Sequence, residues 1–186
     1  MPHRVKLRRS LIAACAAVGW MLVLGGCPGA HDPATVPIPG GYGTGLVAHV
    51  DHVIDGDTIE LDFGSAGSER VRLLGIDTPE TVKPNAPVEC FGPQASDRTK
   101  ALLPEGTEVL VQRDEEARDR YGRLLLHVWR RFDGLFVNRS LLVDGYATVL
   151  SIAPNKAHRA DLAAAERTAR AGSVGLWGTC DVSPGR

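Results

Sequence analysis

Residues 46–76 read LVAHVDHVIDGDTIELDFGSAGSERVRLLGI, and the alternation in this stretch decides the fold class. Leu46, Ala48 and Val50 share one parity, while Ile59, Leu61 and Phe63 alternate with Glu60 and Asp62. Each set reads as a strand with one buried face. Asp55-Gly56 between them is a hairpin signal. A second turn, Gly64-Ser65-Ala66-Gly67, leads to a third strand from about Arg70 to Ile76. The pattern predicts a three-stranded meander.

Beyond it, Gly92-Pro93 opens a helix that Pro104 stops after Leu103. Val109-Leu110-Val111 and Leu124 to Trp129 read as two more strands. Asn138 is a candidate cap for a short helix that ends at Gly145. Asn155 is a candidate cap for an alanine-rich last helix, with Glu166 and Arg170 as an i,i+4 pair and Gly172 at its end. Three strands, a helix, two strands and two helices predict an α+β domain. Its expected core is a five-stranded OB-type β-barrel with about three helices.

The first residues carry Arg4, Lys6, Arg8 and Arg9, then an apolar run from Leu11 to Leu24, then Gly25-Gly26-Cys27. A basic start and a short apolar run before small residues form an export signal. The run is too short for a bilayer span, which takes about 20 apolar residues. Leu-Gly-Gly-Cys resembles a bacterial lipoprotein signal, which implies removal of residues 1–26 and lipid on Cys27; a plain secretory signal is the alternative. Pro28 to Thr44 is rich in Pro and Gly, so 27–44 reads as lipidated cysteine plus tether. The domain is expected over 45–180, with a short tail at 181–186. A monomer is expected, exported and facing outside the cytoplasm, with the lipid at Cys27 as its contact with the membrane.

Losing that signal removes four of 21 basic residues and none of the 22 acidic ones, for a formal charge of −5. Proteins that hold polyanions by global charge are basic. Phosphate binding here therefore needs local clustering or a metal ion. Cys15 leaves with the signal, so Cys90 and Cys180 remain as a pair in an oxidising setting. A disulfide between them is expected, with two separate buried thiols as the alternative.

Asp57 follows the first hairpin and Asp77 follows the third strand. In a meander the far end of strand three returns beside the turn joining strands one and two, so these carboxylates approach one another. Two close carboxylates need a cation or a proton. With oxygen donors and no nearby His or Cys, a hard ion such as Ca²⁺ or Mg²⁺ fits better than zinc. Taken singly, Asp55 and Asp57 also suit plain turn positions. Arg72 points away from the face that buries Val71 and Leu73. Arg72 and Arg123 are either a phosphate clamp or two surface salt bridges, the latter worth about 0–1 kcal/mol each.

VIDGDT (53–58), RLLGIDTPET (72–81), FGPQAS (91–96) and DRYGR (119–123) together resemble the staphylococcal nuclease, or thermonuclease-like, family. They occur in the family's order, and the likeness covers roughly 45 to 178. The resemblance implies an OB-fold and a Ca²⁺-dependent phosphodiesterase acting on DNA and RNA. It implies that Asp57, Asp77 and the Thr78 carbonyl hold calcium, that Glu80 is the general base, and that Arg72 and Arg123 contact phosphate. Tyr121, with Arg120 beside it, would line the substrate groove.

The chain departs from the family at Ser151-Ile152-Ala153-Pro154-Asn155, where groove tyrosines often stand. Base stacking contributes about 1–3 kcal/mol per base where it is present. Arginines 113, 118, 120, 123, 130 and 131 cluster locally, but interleaved acids allow an ordinary solvated loop. The histidines show no paired spacing, and Trp129 and Trp177 read as packing residues. The competing functions are a nuclease, a barrel that binds nucleic acid without cutting, and a lipoprotein with no ligand.

Overall fold

The computed structural model describes residues 35–81 and 88–181. The export signal, Cys27, the first part of the tether and residues 182–186 of the tail lie outside the described residues.

The strands are β1 Val36–Pro37, β2 Thr44–Asp55, β3 Thr58–Asp62, β4 Ser68–Leu73, β5 Ile76–Asp77, β6 Glu108–Gln112, β7 Leu124–Arg130 and β8 Thr148–Val149. The helices are α1 Gly92–Leu102, α2 Val137–Val143, α3 Arg159–Ala171 and the single turn α4 Leu176–Thr179. Antiparallel β2, β3 and β4 form the meander; β4 pairs parallel to β7, and β7 antiparallel to β6. β6 returns to the first half of β2, with Leu46 opposite Val111. The circuit β2-β3-β4-β7-β6-β2 closes, which is the five-stranded barrel of an OB-fold. One long strand serves both neighbours because β2 bends at two register shifts, between Val50 and His52 and between Val53 and Asp55.

Inward residues fill the barrel: Ile59, Leu61, Val71, Leu73, Val109 and Val128 are buried, and Leu141 and Leu142 of α2 close one end. Trp129 stacks on Phe136, ring centroids 4.4 Å apart. α3 lays Leu162, Ala165 and Ala169 into the structure. The Arg98 guanidinium of α1 donates to Asp144 just past α2, at 2.6 and 3.2 Å.

Four expectations change in detail. The stretch read as tether joins the fold from Val36 onward: Val36 and Pro37 pair with β2, Ile38 is buried, and Tyr42 packs against Trp129 and Phe136. The third strand ends at Leu73, because Gly75 turns the chain at φ +82° and a Cβ there would lie 2.5 Å from Leu162. Ile76–Asp77 then pairs with β8 instead. Asn138 is no cap: buried inside α2, it accepts from the Val128 amide and donates to the Leu74 carbonyl, both at 2.9 Å. Asn155 is no cap either; α3 begins after His158, and Asn155 accepts from the Glu116 amide. In both asparagines a distant backbone group outcompeted the local one.

Candidate active site

The barrel wall sets the first part of the site. β3 and β4 place Thr58 opposite Arg72, and the Leu73 amide donates to the Asp57 carbonyl at 2.8 Å. The turn at Gly75 then brings Asp77 and Thr78 back over the β2–β3 hairpin. There the Thr78 amide donates to Asp57 Oδ2 at 3.0 Å, and Thr58 Oγ1 to Asp57 Oδ1 at 3.0 Å. Gly56 has to be glycine, since a Cβ there would sit 2.6 Å from Thr78 Oγ1. α1 supports the hairpin from behind, where Thr99 Oγ1 donates to the Gly56 carbonyl at 2.6 Å.

Arg72 lies between the two aspartates. Its Nη1 is 2.6 Å from Asp57 Oδ2, and its Nη2 donates to Asp77 Oδ1 at 2.6 Å. Asp57 and Arg72 are buried, while about half of the Asp77 side chain (52%) is open to solvent. Lost hydration leads the causes that push the Asp77 carboxyl above its usual range; Arg72 opposes it, and the charges of Asp57 and Glu89 add to it. One guanidinium touching both carboxylates shows that they lie within reach of a single cationic centre.

The loop beyond is tied down by Asp55, which pattern alone left as an ordinary turn residue. Asp55 accepts from the Gly56 amide at 2.8 Å and from Thr81 Oγ1 at 2.6 Å. Glu80 exchanges backbone contacts with Glu89: its amide donates to Glu89 Oε2 at 3.2 Å and its carbonyl accepts from the Glu89 amide at 3.0 Å. Next to Glu89, Cys90 is disulfide-bonded to Cys180, with Cα atoms 6.0 Å apart. The expected pairing is present, and it fastens the loop carrying Glu80 to the C-terminal segment.

Arg123 arrives from β7. Its Nε donates to Asp119 Oδ2 at 2.7 Å and its Nη1 to Thr58 Oγ1 at 3.2 Å. Burial works against the Asp119 charge, but hydrogen bonds from Arg123 and Tyr121 outweigh it and hold that carboxyl below its usual range. Asp119 thus aims Arg123; only its position in DRYGR could have hinted at this.

Asp57, Arg72, Asp77, Thr78, Glu80 and Arg123 all line one cleft of about 500 Å³. Arg70, Glu80 and Arg123 also line an adjoining cleft of about 660 Å³ together with Glu69 and Tyr121. Tyr121 is 68% exposed, and Arg120 lies over its ring at 4.8 Å and donates to its hydroxyl at 2.6 Å. Most of the arginine run is neutralised locally: Arg118 forks onto Glu69, Arg130 meets Asp133, and Arg131 meets Glu108. In the segment that lacks groove tyrosines, Ile152 is the exposed large apolar side chain.

No group of three or more His, Cys, Asp or Glu converges as a ready metal site among the described residues. Two carboxylates on one cationic centre and a cleft lined by oxygen donors fit a hard cation that keeps several waters. They do not fit zinc or a thiolate-bound metal. The buried Thr78 Oγ1, beside Asp57, has no hydrogen-bond partner among the described residues, so the lining keeps spare oxygen-donor capacity there.

A family model described as "Staphylococcal nuclease homologue" matches residues 70–179. The chain is 42% identical over 128 residues to a thermonuclease of Staphylococcus intermedius, across 69% of this chain and 74% of that one. A thermonuclease of Staphylococcus hyicus is 38% identical over 128 residues, across 69% and 73% of the two chains. The endonuclease YncB of Bacillus subtilis is 37% identical over 129 residues, across 69% of this chain and 60% of its own.

Proposed function

Because the chain belongs to the staphylococcal nuclease family, we propose that it is a calcium-dependent nuclease of the cell envelope. The nuclease activity follows from membership; the ion, the residue roles and the location are our reading. The observation that supports it best is convergence: six side chains from separated stretches of sequence meet on one cleft.

In this reading Asp57, Asp77 and the Thr78 carbonyl would hold calcium, which when bound would supply positive charge beside the phosphodiester. Arg72 and Arg123 bind the non-bridging oxygens as planar forks and stabilise charge that builds there. Arg72 exchanges an aspartate partner for phosphate, while Asp119 and Thr58 keep Arg123 oriented. Glu80, held by its backbone to Glu89, takes the proton of the attacking water as its oxygen bonds to phosphorus, while one ester P–O bond breaks and the leaving oxygen takes a proton from solvent. Tyr121 and Arg120 receive the strand beyond the reacting phosphate. The substrate is DNA, RNA or both, and the enzyme acts as a monomer, with lipid at Cys27 as its membrane anchor.

The test is degradation of plasmid DNA and of single-stranded RNA with calcium and with chelator. Glu80→Gln and Arg123→Ala should each lower kcat by about 10²–10³-fold. Full activity in chelator, or in either variant, would remove this mechanism. Incorporation of labelled fatty acid that disappears in Cys27→Ser tests the anchor.

A further inference from the structure

β4 carries a guanidinium that neither the motif nor the mechanism above uses. Arg70 stands two residues before Arg72 and so shares its outer face of the strand. β3 and β4 set Arg70 opposite Glu60, and the parallel pairing of Val71 with Leu124 brings it level with Arg123. It lines both clefts, the one holding Asp57 and Asp77 and the one holding Tyr121. The neighbouring arginines are spoken for: Arg72 by Asp57 and Asp77, Arg118 by Glu69, Arg123 by Asp119. The Arg70 side chain makes no hydrogen bond or ion pair among the described residues, and Glu60 across the ladder lies 3.8 Å from His52 Nε2 instead.

Arg72 and Arg123 repel the exposed Arg70 guanidinium, and among the described residues neither Glu60 nor Glu69 forms an ion pair with it, their contacts going to His52 and Arg118. An anion in the cleft would offset that repulsion. We propose that Arg70 binds the phosphate next to the scissile one, on the side of the strand that runs toward Tyr121. This rests on the nuclease reading of the cleft. Outward residues two apart on a strand are about 6.6 Å apart, a step on the scale of one nucleotide of backbone. Arg72 on the reacting phosphate therefore puts Arg70 beside the following one. Arg70 then sets a minimum length of good substrate: a strand with a second phosphodiester is held, and one with a single phosphodiester is not.

The experiment compares wild type, Arg70→Ala, Arg70→Lys and a control, Arg167→Ala, whose exposed arginine on α3 lines neither cleft. Substrates are a DNA trinucleotide and a dinucleoside monophosphate with one phosphodiester. Arg70→Ala should raise KM for the trinucleotide about 5–10-fold with kcat unchanged and leave the dinucleoside values alone, as one bidentate arginine contact implies. The slope of log affinity against log salt should fall by about 0.7, the share of one phosphate on a single strand. Arg70→Lys should fall between, and Arg167→Ala should match wild type. The same split should appear as equilibrium binding in a Glu80→Gln background, where no turnover is needed. Equal losses on both substrates, a fall in kcat, or no change in Arg70→Ala would each overturn the assignment. If wild type degrades neither plasmid DNA nor these short substrates, the nuclease reading itself fails, which is a different result from wild type cutting them with Arg70→Ala indifferent.

Discussion

Asp77 illustrates how a single residue gives up stability at a site. Its carboxyl is pushed up because desolvation and the charges of Asp57 and Glu89 outweigh the pull of Arg72. A raised folded-state value means that the folded chain holds this proton more tightly than the unfolded one does. The stabilising contribution is complete below the ordinary carboxylate value of 3.8 and is lost as pH rises through the folded value. At neutral pH the ionised side chain is thus a cost that a bound cation would relieve. Asp77→Asn should keep or raise the thermal midpoint in chelator at pH 7, and the upward shift that the proposed site should give wild type on adding calcium should be absent from the variant. A midpoint well below wild type in chelator would show that the Arg72 contact dominates instead. Asp57 and Asp77 were readable in the sequence because a meander must bring its ends together. Asp55 and Asp119 were not: a carboxylate that accepts from a nearby turn looks the same in sequence whether or not that turn carries a catalytic group.

At the level of elements, the disulfide does more than close a loop. Cys90 and Cys180 are 90 residues apart, which the chain-entropy model values at about 4–5 kcal/mol as an upper figure. Cys90 also adjoins Glu89, whose backbone and side chain hold the backbone of Glu80. Replacing both cysteines with alanine should lower stability and, at temperatures where the protein remains folded, lower kcat more than KM. Unchanged kcat under those conditions would separate the bridge from the site. Alternation was enough to predict β2 and β3 and most of β4, but it ran the third strand past Leu73 and gave no sign of β1, β5 or β8. The helix starts were misread at Asn138 and Asn155, since an asparagine side chain has the same donors and acceptors for a local cap as for a carbonyl across the fold. Asn138 is the more informative case, because it ties α2 to β7 and to the chain leaving β4.

For the molecule as a whole, acid sensitivity is built into the core. His127 is buried, neither ring nitrogen has a hydrogen-bond partner among the described residues, and it packs edge-on against His158 with ring centroids 4.6 Å apart. Burial, then the nearby His158, lowers its pKa from 6.5 to about 3. Asp114 pulls the other way, and burial also depresses His158 against Asp161 and Asp114. For a depressed folded value the contribution is complete above 6.5 and is lost as pH falls toward about 3. Stability at pH 5 should be roughly 2 kcal/mol below that at pH 7 from this group alone. His127→Leu should flatten the profile between those values, measured by denaturant unfolding; an unchanged slope would exclude His127 as the cause.

The amino-acid pattern by itself determined the class of fold, the family, the pairing of the last two cysteines, and the charged residues grouped around Asp57 and Asp77. Each depends on a period, a motif or an arithmetic of residue types that survives without coordinates. Only the tertiary structure decided which carboxylate holds which guanidinium, that β2 closes the barrel by bending toward β6, and that Val36 to Tyr42 belong to the fold. It alone left the Arg70 side chain without a partner among the described residues. Those outcomes turn on which of several equivalent donors and acceptors come within about 3 Å of one another, and hydrogen-bond energy falls away too steeply with distance and angle for sequence spacing to choose among them.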